Sequence, residues 1–265
     1  MGRVRLTIEY DGSGYAGSQF QPEEATIQGA IETVLDRIAP GCGRVEMAGR
    51  TDAGVHALAQ VVAFDHPEAL SADRLASGLN ALLPADIAVL DARACDSDFD
   101  PRRKASARTY EYRVINRAAR PGLARGRALH VARNLDIEVM NAAAQRLVGI
   151  HDFANFVVET DEPVPRRLTD CVCWRQGDLV HIRVSANAFA KRMVRRIAGA
   201  LVQVGLGQWS VNDFQEVVDR ARGAPVAPSV PAAGLFLTEI EYGDRYDPFQ
   251  STGQPDRAFE EIDVN

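Results

Sequence analysis

The strongest constraint on this chain is a change of apolar period that occurs in the same order twice. From Arg3 to Tyr10 the apolar residues Val4, Leu6 and Ile8 fall at every second position, the spacing of a strand with one buried face. After a glycine-punctuated loop, "DGSGYAGSQFQP", they fall at Ile27, Ala30, Ile31, Val34, Leu35 and Ile38. That is the spacing of a helix, with Thr26 placed to cap it and Pro40 to end it. Strands follow around Arg44 to Ala48 and across "AQVVAFDH", then a helix from about Ser71 to Leu83 and a strand from Ile87 to Ala94. The order β-α-β-β-α-β is that of a ferredoxin-like unit.

The rest of the chain runs in a similar order. A long strand "SARTYEYRVIN" precedes a helix "DIEVMNAAAQRLVG", the turn "HDFANF", the strands "RLTDCVCWRQ" and "LVHIRVSA", and an apolar helix from Phe189 to Leu206. A helix opening with "SVNDF", where Ser210 and Asp213 suit a capping box, leads to a last strand "GLFLTEIEY". The two halves show no residue-level repeat. The expectation is therefore an α+β protein made of two ferredoxin-like halves, residues 1–104 and 105–243, with mainly antiparallel sheets joined around a central cleft. Residues 244–265 read as a polar, acidic tail.

With 265 residues, 46% of them hydrophobic, the chain can bury a large core without disulfides or a structural metal. No apolar run is long enough to span a bilayer and the first residues enter a strand pattern at once, so a cytoplasmic protein with no membrane association is expected. Cys171 and Cys173 share one face of a strand, a spacing unsuited to zinc or redox chemistry, and the four cysteines read as buried thiols.

The net charge of -6 argues at first against a nucleic-acid partner. The tail alone, with six acidic residues against two arginines, carries -4 of it, and Lys104 and Lys191 are the only lysines in the chain. An arginine-rich, nearly neutral body suits phosphate and base recognition, although genomic base composition would also favour arginine over lysine.

The most distinctive stretch is "AGRTDAGVHA", Ala48 to Ala57, a loop between two strands with Gly49 and Gly54 as hinges. Asp52 in such a loop has two readings. It is either the cap of its own turn or a carboxylate aimed outward from a rigid scaffold, kept ionised by Arg50. His56 is too weakly supported as a metal ligand or catalytic partner and reads as loop support. Tyr110 and Tyr112 share a strand face with Arg108, which suits either stacking on a base beside a phosphate or a half-buried tyrosine ladder. "KRMVRR" gathers Lys191, Arg192, Arg195 and Arg196 at the start of an apolar helix, where cations gain nothing from the helix dipole and an external anion is the better reason for them. No nucleotide-cradling glycine loop, serine elbow or HExxH is present.

"AGRTDAGVHA" resembles the active-site motif of the TruA family of tRNA pseudouridine synthases. The resemblance extends over nearly the whole chain through "EYDGSGYAG.Q", "TIQGAIE", "GLNALLPADIAV", "SARTYEYRV", "HDFANF", "ANAFAKRMVRRIAG" and "GLFLTEIEY". It implies isomerisation of uridine to pseudouridine in tRNA, at positions 38, 39 and 40 of the anticodon arm, by a homodimer that needs no cofactor and no metal. Asp52 becomes the catalytic aspartate, Arg50 the arginine that assists displacement of the uridine, and Tyr110 the ring that packs on the base. Arg195 would lie near the aspartate, with Leu235 and Leu237 lining the pocket. Arg108, Lys191, Arg192 and Arg196 remain candidates for RNA contact. Ser18 departs from the family, standing where a tryptophan is common, and Arg103 and Lys104 are more basic than usual. The alternatives are a paralogue acting on another RNA and an RNA-binding protein without catalysis.

Overall fold

A computed structural model of the chain describes residues 2–66, 71–157, 160, 162–219 and 226–243. The acidic segment from Asp244 onward lies outside them. The strands are β1 (Gly2–Tyr10), β2 (Glu46–Met47), β3 (His56–His66), β4 (Ile87–Cys95), β5 (Ala105–Asn116), β6 (Leu129–Val131), β7 (Gly149–Asp152), β8 (Pro165–Gln176), β9 (Leu179–Ala186) and β10 (Leu235–Tyr242). The helices are α1 (Ile27–Ile38), α2 (Ala72–Leu82), α3 (Ile137–Ala144), α4 (Met193–Gly205) and α5 (Val211–Val218).

All ten strands form one sheet in the order β4-β1-β3-β10-β5-β9-β8-β7, with β2 added to β3 and β6 to β5. The pairing is antiparallel except for β10 on β3 and β6 on β5. The fold is thus α+β and mainly antiparallel. The first and second halves of the chain meet at a short parallel contact, Phe236 opposite His56 and Leu237 opposite Ala57.

Register explains which face is core. Leu6 lies opposite Val62 and Tyr112 opposite Ile182, and all four are fully buried. Helix α2 packs on β4, while α3 packs on β8 and α4 on β5. On the opposite face Glu111 pairs with Arg113, and Trp174 stacks flat on His181 with ring centroids 4.6 Å apart.

The helix starts follow local capping chemistry. Thr26 accepts from the Gly29 amide to open α1, and Ser210 and Asp213 form the expected capping box on α5. The four cysteines are free, and burial pushes the Cys173 thiol up to about 12.

Three elements differ from the sequence expectation. The strand expected around Arg44 to Ala48 shrinks to two paired residues, and "HDFANF" divides between β7 and a 3-10 turn, Ala154–Phe156. The apolar helix expected from Phe189 begins only at Met193, because Arg192 has φ 60°, a left-handed conformation that stops the helix from extending further back. Lys191 and Arg195 therefore do not share a helix, and Lys191 lies on the loop before it.

Candidate active site

Asp52 lies one turn before β3, on a loop whose backbone is tied down along its length. The buried side chain of Gln60 brackets Gly49, accepting from its amide at 3.2 Å and donating to its carbonyl at 2.8 Å. The Val55 amide closes the turn on the Asp52 carbonyl at 3.1 Å. Beyond the turn His56 is 2% exposed, stacked on Phe236 with centroids 4.7 Å apart. Its Nδ1 accepts from the Gly12 amide at 3.2 Å and its Nε2 meets the Ala233 carbonyl at 3.1 Å. Burial holds the ring below its usual pKa, which favours the neutral tautomer that these two contacts require. His56 is a loop support.

Asp52 itself accepts no hydrogen bond from a backbone amide among the described residues, which removes the turn-cap reading. Its carboxylate is 31% exposed, and the cation that approaches it is Arg195, with Nη1 at 3.7 Å from Oδ2. The family resemblance put Arg195 there, whereas spacing alone offered Arg50. Among the described residues Arg50 makes no ion pair with Asp52, and it is exposed on the same loop. Arg195 is itself aimed by a bond from Nε to the Val230 carbonyl at 2.8 Å. A carboxylate without structural hydrogen bonds and with an oriented guanidinium beside it is available as a nucleophile or base.

Asp52 opens on a cleft of about 1060 Å³, lined among others by Gly17, Arg50, Tyr110, Phe189, Arg192 and Leu235. That is at the top of the roughly 300–1,000 Å³ range of small-ligand sites and leaves room for a nucleotide. Tyr110 is 7% exposed and meets Phe189 edge-on at 5.2 Å. Burial and the nearby Asp52 charge push its phenol well above the ordinary tyrosine range, so it stays neutral. Tyr112, on the same strand face, is fully buried with its hydroxyl on the Pro231 carbonyl. The two readings of this tyrosine pair thus divide between its members, since Tyr110 faces the cleft and Tyr112 belongs to the core.

Other candidates are placed differently from expectation. Leu235 lines the cleft, whereas Leu237 is fully buried opposite Tyr110 and backs the site from within the sheet. Arg108 borders the cleft, but its four terminal N–H groups are taken by the carbonyls of Ala105, Asn187, Ala48 and Arg102. It is a strap between loops rather than a phosphate hand, a role its alternation with two tyrosines gave no means of distinguishing. Lys191 and Arg192 are exposed on the cleft wall, and Arg196, half-buried on α4, is not among its lining residues. Arg103 is exposed beside Asp100, and Lys104 pairs with Asp98 at 3.2 Å.

Sequence reasoning missed two supports. Gln60 carried a signal, a polar residue at an inward position of a buried strand. Ser18 carried none as a contact. It is fully buried against Thr51, with its Oγ accepting from the Thr51 amide at 2.8 Å. Among the described residues, no group of three or more His, Cys, Asp or Glu side chains could hold a metal ion, and no helix is long and apolar enough to cross a membrane.

A lone carboxylate beside a tyrosine, in a nucleotide-sized cleft rimmed by arginines, defines a protein built to hold a polyanion and act on one of its units. The profile of the family described as tRNA pseudouridine synthase matches residues 6–102 and 143–243, and the chain belongs to that family. It is 43% identical over 245 residues to a tRNA pseudouridine synthase A of Rhodopseudomonas palustris (strain BisB18), covering 91% of this chain and all of that one. It is 40% identical over 246 residues to that of Caulobacter sp. (strain K31), covering 91% of this chain and 98% of the relative. A chain of the solved "Crystal Structure of a Cbf5-Nop10-Gar1 Complex" is similar at 13% identity with a TM-score of 0.33. That match covers 75% of this chain and 45% of the other.

Proposed function

We propose that Asp52 is the carboxylate through which this member of the family isomerises uridine to pseudouridine in tRNA, at positions 38, 39 and 40 of the anticodon arm. The observation that carries the reading is the pairing of a carboxylate, free of structural hydrogen bonds among the described residues, with Arg195 at 3.7 Å, in a cleft walled by Tyr110.

The reaction breaks the bond from ribose C1′ to N1 and forms one from C1′ to C5. The C5 proton leaves and N1 gains one, so there is no net oxidation and no energy input. The ionised carboxylate of Asp52 attacks the sugar or C6 of the base, or removes a sugar proton. Extracting the uridine from its stack costs roughly a few kcal/mol, and stacking on Tyr110 offsets about 1–3 kcal/mol of that. Arg50, exposed on the same loop, is placed to fill the position the uridine leaves, and Lys191 and Arg192 to meet the flanking phosphates. The residue order supports two functional halves, 1–104 and 105–243, facing one another across the cleft. The resemblance to the TruA family supports a homodimer acting on tRNA in the cytoplasm.

The test is release of tritium from C5-labelled uridine in a tRNA transcript. Wild type releases it and Asp52→Asn and Asp52→Ala do not. Turnover by either variant near the wild-type rate rejects the assignment.

A further inference from the structure

We propose that Ser18 is a positioning residue for Asp52, setting the aim of the carboxylate through the backbone of Thr51; the proposal rests on the catalytic reading of Asp52. Ser18 is fully buried and holds Thr51 by both of its main-chain groups. Its Oγ accepts from the Thr51 amide at 2.8 Å, and its own amide donates to the Thr51 carbonyl at 3.1 Å. Thr51 is the residue immediately before Asp52. A third bond fixes its side chain, with Tyr10 Oη and Thr51 Oγ1 2.8 Å apart.

The bracket is tied in turn to a rigid element. The carbonyls of Gly17 and Ser18 accept from the amides of Ile27 and Gln28 at 3.3 and 3.0 Å, the first residues of α1, whose N-terminal amides have no partner within the helix. Ser18 therefore links a twelve-residue helix to the residue before the carboxylate. Gly17 makes the approach feasible: it has φ +114°, and a Cβ there would lie 2.8 Å from the Thr51 carbonyl oxygen, a distance only glycine avoids.

The link matters because so little else holds the Asp52 side chain. With one guanidinium at 3.7 Å and no amide bond to the carboxylate among the described residues, its direction is inherited from the backbone. Releasing the Thr51 amide frees the Arg50–Thr51 peptide plane, one bond step before Asp52, and leaves the Thr51–Asp52 plane held only by the Ser18 amide on the Thr51 carbonyl. A misplacement of about 1 Å at a reacting group can cost about a hundredfold in rate. Substrate affinity resides mainly on Tyr110 and the exposed cations of the opposite wall, with Arg50 the one substrate-facing cation on this loop, so the bracket acts far more on kcat than on KM.

The experiment combines steady-state kinetics on a tRNA transcript with amide hydrogen exchange of the free protein, using wild type, Ser18→Ala, Ser18→Thr and Asp52→Asn. Ser18→Ala is expected to lower kcat by about ten- to a hundredfold with KM within about twofold, and to speed exchange at Thr51. Ser18→Thr, which keeps the hydroxyl, is expected to restore most of kcat. A Ser18→Ala enzyme with kcat within about twofold of wild type, or with KM changed as much as kcat, overturns the proposal. If Ser18→Ala melts below the assay temperature, Ser18→Thr decides, and a folded Ser18→Thr enzyme that still lacks turnover overturns it. Asp52→Asn separates the two claims. Turnover by that variant rejects the catalytic reading itself, and the bracket is then judged by exchange at Thr51 alone, where unchanged exchange in Ser18→Ala rejects it.

Discussion

The two walls of the cleft are built on opposite principles. The Asp52 loop is exposed only at its tip and is bonded from behind at Gly49, Thr51 and His56 by buried partners. The facing wall, from Ala188 to Arg195, carries Lys191 and Arg192 outward, has a left-handed residue at Arg192 and opens α4 without a side-chain cap. One wall holds a single group still, and the other exposes two cations, Lys191 and Arg192, at the start of a helix with no side-chain cap. Chemistry on one nucleotide needs the first arrangement. Binding a phosphate chain of varied sequence needs only the second, because charge neutralisation tolerates imprecise geometry.

The division can be broken by substitution. Asp52→Asn should remove the largest effect, about a thousandfold or more in kcat, with tRNA binding retained in a filter assay. Loss of binding along with rate would show that the rigid wall also carries affinity. Tyr110→Ala should cost kcat/KM about 1–3 kcal/mol, roughly five- to 150-fold, and Tyr110→Phe much less, because the ring rather than the hydroxyl does the packing. On the other wall, Lys191→Ala and Arg192→Ala should each make the plot of log affinity against log salt shallower by about 0.7–0.9 while kcat at saturating tRNA stays unchanged. A fall in kcat there would mean that the cationic wall takes part in the chemistry.

The smallest effect is one of stability behind the rigid wall. Burial raises the Tyr10 hydroxyl from its ordinary 10.0 to about 12. The fold thus favours the protonated form, and this contribution is complete below pH 10 and lost as pH rises through about 12. Urea midpoints measured across that range should fall less steeply with pH for Tyr10→Phe than for wild type.

Much of this was legible in the residues. Strong periodicity located β1, α1, α2 and the strands of the second half, because each buries one face and so leaves a two- or 3.6-residue pattern. The cap at Thr26 and the box at Ser210 followed from side-chain chemistry within three residues. What failed was non-local. The α4 helix stops short of Phe189 because of the backbone at Arg192, which no apolar pattern records. Arg108 reads the same in sequence whether its guanidinium meets phosphate or four carbonyls, since those carbonyls come from residues as far away as Asn187 and Ala48. Likewise spacing alone offered Arg50, two residues away, as the cation beside Asp52, and Arg195, far along the chain, was legible there only through the family resemblance. For the site as a whole, Asp52 was conspicuous through its ten-residue setting, Gln60 was signalled only as a polar residue at an inward strand position, and the contact that Ser18 makes with Thr51 left no mark in the sequence.

The placement of β10 has a consequence for how the protein is made. This strand lies between β3 and β5, joins the two halves of the sheet and carries Leu235 into the cleft and Leu237 behind it. It is also the last strand among the described residues. A nascent chain that has emerged only as far as α5 has two open sheet edges where β10 belongs and no floor beneath Tyr110. The cleft is completed only once β10 has been made and has paired with both strands. Until then the unpaired edges of β3 and β5 are the surfaces most exposed to mispairing with another chain.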